Sequence, residues 1–198
     1  MLKPLGVEWI SVIPVCYQTY KNSINVECPD DGYRADDMDI GHVIDYAHQN
    51  GFKVILTPHV LLDGPSDSWH GEIGFGKNEM GWSQWFESYT NFITYYAKLA
   101  ESYQADYFVI GSEYEMASHR ENEWREVVAA VREVYNGPVT YSANFGDEAE
   151  KTVQWWDVLD AIGIDAYYPL TEKKDPSVEE LVLAWQPIVE RLEQLSLD

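Results

Sequence analysis

The stretch 106-DYFVIGSEYEMA-117 runs an apolar segment, Tyr107 to Gly111, straight into Ser112, Glu113 and a second carboxylate, Glu115. β-Branched and aromatic residues without polar alternation read as a strand buried on both faces, the pattern of a parallel sheet. A carboxylate at the tip of such a strand is costly to desolvate unless it is paired or given chemistry to do. This segment therefore raises the question of fold and the question of site together.

Four similar segments flank it: 7-VEWISVIP-14, 53-KVILTPH-59, 139-VTYSAN-144 and 161-AIGIDAY-167. Between them lie helical patterns at 37–50, 83–103 and 120–135, a short one near 150–159, and a last one at 178–195. Asn50-Gly51 closes the first helix where a positive φ is wanted, and Asn136-Gly137-Pro138 is expected to do the same before the fourth strand. Ser177 and Glu180 have capping-box spacing, and Pro187 should kink or split the last helix.

Alternating strands and helices give an α/β fold with a parallel sheet, either an open doubly wound sheet or a (β/α)₈ TIM barrel. A nucleotide-binding sheet would show a glycine-rich turn after its first strand, and PVCYQTYK has none. Polar and aromatic residues gather instead at the C-terminal tips of the strands: Tyr17, Gln18, His59, Glu113, Asn144, Asp165 and Tyr167. A barrel builds its active site at that end, so the barrel is favoured. Such a barrel has eight strands in about 250 residues, whereas five are legible here. Five parallel strands alone would leave two unpaired edges, so the expectation is an incomplete barrel, residues 1–198 forming one partial domain of a longer protein.

Composition narrows the partners. A net charge of −21 argues against nucleic acid and anionic membrane, and fits a neutral ligand such as a sugar or simple solubility. No run approaches the length of a membrane span, and MLKPLGVEWI lacks the charged-then-apolar order of a signal peptide. Cys16 and Cys28 offer neither a disulfide framework nor metal-ligand spacing, and a bridge between them is unsupported by sequence.

Glu113 is the leading candidate for chemistry. In a cleft lined by Trp and Tyr, poor solvation would favour its acid form, able to protonate a leaving oxygen at neutral pH. The alternative is a surface glutamate at a strand end, and Glu115 reads as structural or solvated. His59 could hydrogen-bond a sugar hydroxyl or a carboxylate, or be structural. Trp69, His70 and Glu72 fall in the long loop 60–82, where Trp69 could stack on a sugar or pack the loop down. Tyr17 and Tyr20 share that ambiguity. Asn144 and Tyr167 could reach a ligand, and Asp165 could as easily hold neighbouring loops. Trp85, Tyr89, Phe92 and Tyr96 recur at helical spacing and read as core.

The runs PVCYQTYKNS, DDGYRADDMDIGHVIDYAHQNGFKVILTPHV, WFESYTNFITYYAKLAE, FVIGSE and IGIDAYYPL together resemble glycoside hydrolase family 113, β-1,4-mannanases on a clan A (β/α)₈ barrel. The resemblance implies retaining hydrolysis by two glutamates, an acid/base ending the fourth strand and a nucleophile ending the seventh. On that pattern Glu113 is the acid/base, and Tyr17, His59, Trp69, Asn144 and Tyr167, by their places at strand tips and in the long loop, are the expected sugar-binding shell around it. Many relatives in the clan carry Asn immediately before the acid/base, where this chain has Ser112. One strand is then expected upstream and two downstream, the nucleophile among the latter. No cofactor or metal is implied. The resemblance implies an oligosaccharide or polysaccharide substrate, with a glucanase, a xylanase, or a non-catalytic carbohydrate-binding or remnant barrel as alternatives.

Overall fold

Prolines interrupt the first two strands at one and the same register. In a computed structural model, which describes residues 2–28, 35–65 and 68–197, the first strand is split into β1 (Trp9–Val12) and β2 (Val15–Gln18) around Pro14. The second is split likewise into β3 (Lys53–Leu56) and β4 (His59–Leu62) around Pro58. Proline has no N–H for the ladder, so pairing lapses at both positions and resumes beyond them. The result is two parallel pairs, β1 with β3 and β2 with β4. The sequence reading stopped one strand at Pro14 and the other at His59, whereas each continues through a further short strand.

β5 (Tyr107–Ser112), β6 (Val139–Asn144) and β7 (Ala161–Asp165) complete a parallel sheet in the order β1-β3-β5-β6-β7. Among the described residues this sheet stays open at β1 and β7, and the barrel is not closed. Among the described residues four α-helices follow the strands: α1 (Asp37–Gln49), α2 (Glu79–Ser102), α3 (Glu121–Arg132) and α4 (Val178–Leu195). Residues 30–34 of the run that carries the family resemblance lie outside the described residues.

The helix ends follow local chemistry. Asp36 caps α1, accepting from the Asp39 N–H at 2.8 Å, and Asp39 returns the bond in a reciprocal capping box. Gly51 takes φ +71° past the end of α1, as expected. Gly137 does not: its φ is not positive, and it is small because the Tyr135 ring fills the space a Cβ would need. Ser177 and Glu180 form the expected box on α4. α4 runs unbroken through Pro187, so the expected split is absent. Near 150 the chain forms one wide turn, Glu148–Thr152, and a short 3-10 turn, Trp156–Val158, in place of a regular helix.

One face of the sheet is sealed by α1–α3 through an aromatic core. Trp85 stacks on Tyr89 at 4.9 Å, and Trp124 on Trp155 at 5.1 Å, all four inaccessible to solvent. The polar tips of the first pair are satisfied by the strands: the Trp85 indole N–H donates to Gln18 Oε1 and the Tyr89 hydroxyl to the Ile110 carbonyl. The opposite face is open, with Trp9 and Ile13 partly exposed, so these strands are not buried on both sides. Among the described residues no helix is long and apolar enough to cross a membrane.

Cys16 and Cys28 are joined in a disulfide, which the sequence reading left unsupported. The bridge ties the end of β2 to a segment that returns antiparallel beside Tyr17, with reciprocal backbone bonds between Tyr17 and Glu27. Closing a loop of this size limits the unfolded chain by about 2–3 kcal/mol. Cys28→Ser is therefore expected to unfold at lower denaturant concentration than the oxidised protein. Coincident midpoints would show that the bridge contributes nothing.

Candidate active site

β5 ends in an abrupt turn. Glu113, the next residue, has φ +52°, a left-handed conformation uncommon for a side chain with a Cβ. A set of four hydrogen bonds holds it there. The Glu113 N–H donates to the Ser142 carbonyl at 2.8 Å, and the Tyr114 N–H to the Tyr141 hydroxyl at 2.7 Å. That hydroxyl in turn donates to Glu148 Oε1 at 2.6 Å, whose other oxygen accepts from the Asn144 N–H at 2.6 Å. Below the turn, the indoles of Trp124 and Trp155 donate to the carbonyls of Ala117 and Ser118. The aromatic core thus anchors the loop that begins at Glu113.

The turn directs Glu113 into an open cavity of about 660 Å³ over the exposed face of the sheet. Asp165, His59, His70, Ser112, Ser142 and Tyr167 share it. Asp165 accepts from both serines, Ser142 Oγ at 2.9 Å and Ser112 Oγ at 3.3 Å. Burial, then the charges of Asp165 and Glu148, push the Glu113 carboxyl up to about 7. Glu148 behind it is also raised, first by burial, against the hydrogen bonds it accepts. His70 Nε2 stands 3.9 Å from Glu113 Oε2, and the His59 and His70 rings meet edge-on at 4.6 Å. Burial and the neighbouring His59 push His70 down to about 4, and burial lowers His59 against the pull of Asp165. Both rings are neutral at pH 7. Among the described residues no Lys or Arg lines this cavity, and no group of His, Cys, Asp and Glu is arranged to hold a metal ion.

A partly buried carboxyl with its pKa raised to about 7, at the C-terminal tip of a parallel strand, is the arrangement of a glycosidase acid. The model of Glycoside Hydrolase Family 113 matches residues 1–196. The chain belongs to glycoside hydrolase family 113. A solved GH113 β-1,4-mannanase is 33% identical, superposes with a TM-score of 0.83, and is matched over 98% of this chain and 59% of its own. The GH113 β-mannanase AaManA of Alicyclobacillus acidocaldarius, in complex with ManMIm, is 29% identical with a TM-score of 0.80, matched over 96% of this chain and 56% of its own. The chain thus spans less than two thirds of the family 113 structures it matches. A comparison with functionally curated proteins found no match.

Of the expected shell residues, His59 and Tyr167 line the cavity with Glu113, Tyr167 largely exposed at its rim. Tyr17, Trp69 and Asn144 are not among its lining residues. Tyr17 pairs through its backbone with Glu27, and Trp69 packs over Gly71, where its ring occupies the space of a Cβ. Asn144 gives its N–H to Glu148. His70 was visible only as one residue of a long loop. Nothing in its spacing indicates that the 3-10 turn His70–Glu72 folds back over the β5 tip.

Raising the Glu113 pKa means that ionising it costs the folded state. The cost is absent below the ordinary value of 4.5 and grows as pH rises to about 7. Solvent screening of this partly exposed group leaves about 1–2 kcal/mol. Glu113→Gln should therefore melt above the wild type at pH 8, the gap narrowing towards pH 4.5. Thermal unfolding at both pH values checks this, and a gap independent of pH would contradict it.

Proposed function

We propose that residues 1–198 form one partial-barrel domain presenting Glu113 as the acid/base of a retaining hydrolase of β-1,4-linked mannan. The observation that carries this is the Glu113 carboxyl, fixed at the β5 tip in an open cavity with its pKa raised to about 7. At neutral pH a substantial fraction is protonated and the remainder ionised. A group so poised can deliver a proton in one half-reaction and take one up in the other. Mannan, rather than glucan or xylan, is supported by the β-1,4-mannanases among its similar structures.

In the first half-reaction the Glu113 carboxyl gives its proton to the glycosidic oxygen as the C1–O bond breaks, while a second carboxylate bonds to C1. In the second, ionised Glu113 takes a proton from water, whose oxygen displaces that carboxylate and releases the sugar. The second carboxyl must lie about 5–5.5 Å from the first. Asp165 is the other acid on the cavity wall, but the hydroxyls of Ser112 and Ser142 each occupy one of its oxygens. We assign it the role of holding Glu113 protonated, and the nucleophile to a strand outside the described sheet. His59 and Tyr167 form part of the wall that meets the sugar.

Reducing-sugar release from mannan, glucan and xylan tests this, comparing the 198-residue chain with one carrying the additional length of its relatives. Turnover of mannan by the longer protein alone is expected, reduced about 10²–10⁴-fold by Glu113→Gln. Turnover by the 198-residue chain would place the nucleophile within it. Full activity in Glu113→Gln would remove the acid/base assignment, preference for glucan or xylan would remove the mannan assignment, and no release at all would favour a binding barrel.

A further inference from the structure

Glu148 is a buried acid, 2% exposed, and no salt bridge among the described residues reaches it. Holding a carboxylate away from water without a cation is costly, so its place in the turn after β6 calls for a reason. Both of its oxygens are in use. Oε1 accepts from the Tyr141 hydroxyl and Oε2 from the Asn144 N–H, each at 2.6 Å. The Tyr141 oxygen in turn accepts the Tyr114 N–H at 2.7 Å. Gly111 leaves the Tyr141 ring its room beside β5, since a Cβ there would stand 3.0 Å from it. The rings of Trp124 and Trp155 close around Tyr141 at 5.3 and 5.1 Å.

The Cα of Glu113 lies between two pinned peptides. The N–H before it is taken by the Ser142 carbonyl, and the N–H after it by the Tyr141 hydroxyl. Peptides are planar, so pinning both fixes the two dihedral angles of the left-handed turn. The first pin is main chain of β6. The second is a phenol, whose O–H can rotate, and its lone pair meets the Tyr114 N–H only while its hydrogen is held elsewhere. Glu148 holds that hydrogen. We propose that Glu148 is a positioning residue for Glu113: its carboxylate orients the Tyr141 hydroxyl, which holds the Tyr114 peptide and so aims the Glu113 side chain. This rests on the acid/base role of Glu113. The aim has to survive a change of charge, because Glu113 is ionised for half of the cycle. It then faces Asp165 on β7, Glu148 itself and Glu115 two residues on, with the neutral rings of His59 and His70 beside it. Repulsion by Asp165 would swing an ionised carboxylate on a slack turn away from the bond it serves.

Nuclear magnetic resonance on the 198-residue chain reads this relay without recourse to turnover. Burial raises the Glu148 carboxyl above its ordinary 4.5, against the bonds from Tyr141 and Asn144 and with the charge of Glu115, so acid protonates it ahead of an exposed glutamate. In the wild type the Tyr114 amide proton should shift with the same midpoint as the Glu148 ¹³C-carboxyl. The shift should persist in Glu113→Gln, which removes the neighbouring titration, and vanish in Tyr141→Phe, which keeps the ring and cuts the relay. In the longer protein Glu148→Gln and Tyr141→Phe should each lower kcat on mannan about 10–10²-fold with KM within about twofold. The double variant should be no slower than the slower single one, because the two act through one chain of bonds. A Tyr114 amide that ignores Glu148 in the wild type overturns the proposal even if no variant folds, and so do losses that multiply in the double variant. Failure of the glycosidase reading would show separately, as an absence of mannan turnover in the longer wild type with the amide titration unchanged.

Discussion

The left-handed turn at Glu113 is the constraint on which the site depends. A strand running straight on would carry its next side chain along the barrel wall. Reversing φ at one residue swings the carboxyl over the open face of the sheet instead. That conformation is unfavourable for a residue with a Cβ and persists only because neighbours over-determine it. Ser142 takes the Glu113 N–H, and Tyr141, itself held by Glu148, takes the next. The buried Glu148 is thus part of the scaffold of the site, joining the turns that follow β5 and β6. The stacked pair Trp124 and Trp155 secures the same segment from beneath.

Electrostatics then decide what the positioned carboxyl can do. The protein has 34 acidic against 13 basic residues, and the cavity repeats that imbalance locally. Among the described residues no Lys or Arg lines the cavity, where Glu113 sits with Asp165 and the paired rings of His59 and His70, both neutral at pH 7. Burial and a neighbouring negative charge act in the same direction, which is why a glutamate keeps its proton near neutrality. The close approach of His70 to Glu113 falls within ion-pair distance, yet the histidine is uncharged at pH 7, so the contact is not an ion pair. Asp165 is tied to two serines, one of which, Ser112, stands where many relatives in the clan have asparagine.

How much of this was legible in the sequence follows from the range of the interactions involved. The parallel strands, the helices between them and Glu113 at a strand tip are local patterns, and apart from the segment near 150, which forms turns in place of a helix, each appears where its residues indicated. The aromatic stripe of α2 was legible for the same reason. What escaped notice depends on contacts distant in the chain. The disulfide requires Cys28 to return beside β2 after a loop, and His70 reaches Glu113 only because its turn is strapped to Met116 and Lys21. Gly137 was expected to adopt a positive φ, but its smallness serves the Tyr135 ring. Pro187 was expected to kink or split α4, and the helix continues through it unbroken. Of the strand-tip residues, His59 and Tyr167 join Glu113, while Tyr17 and Asn144 serve backbone pairing, a distinction that strand position alone does not make.

The central claim is that the turn after β5 presents Glu113 to the bond that is cleaved. Its most direct test is a crystal structure of the longer protein, made inactive at the second carboxyl, with a β-1,4-mannan oligosaccharide spanning the site. The account predicts a Glu113 oxygen within hydrogen-bonding distance, about 2.6–3.2 Å, of a glycosidic oxygen, with the backbone of Glu113 still left-handed. An oligosaccharide bound elsewhere, or with its glycosidic oxygen out of reach of Glu113, would contradict it.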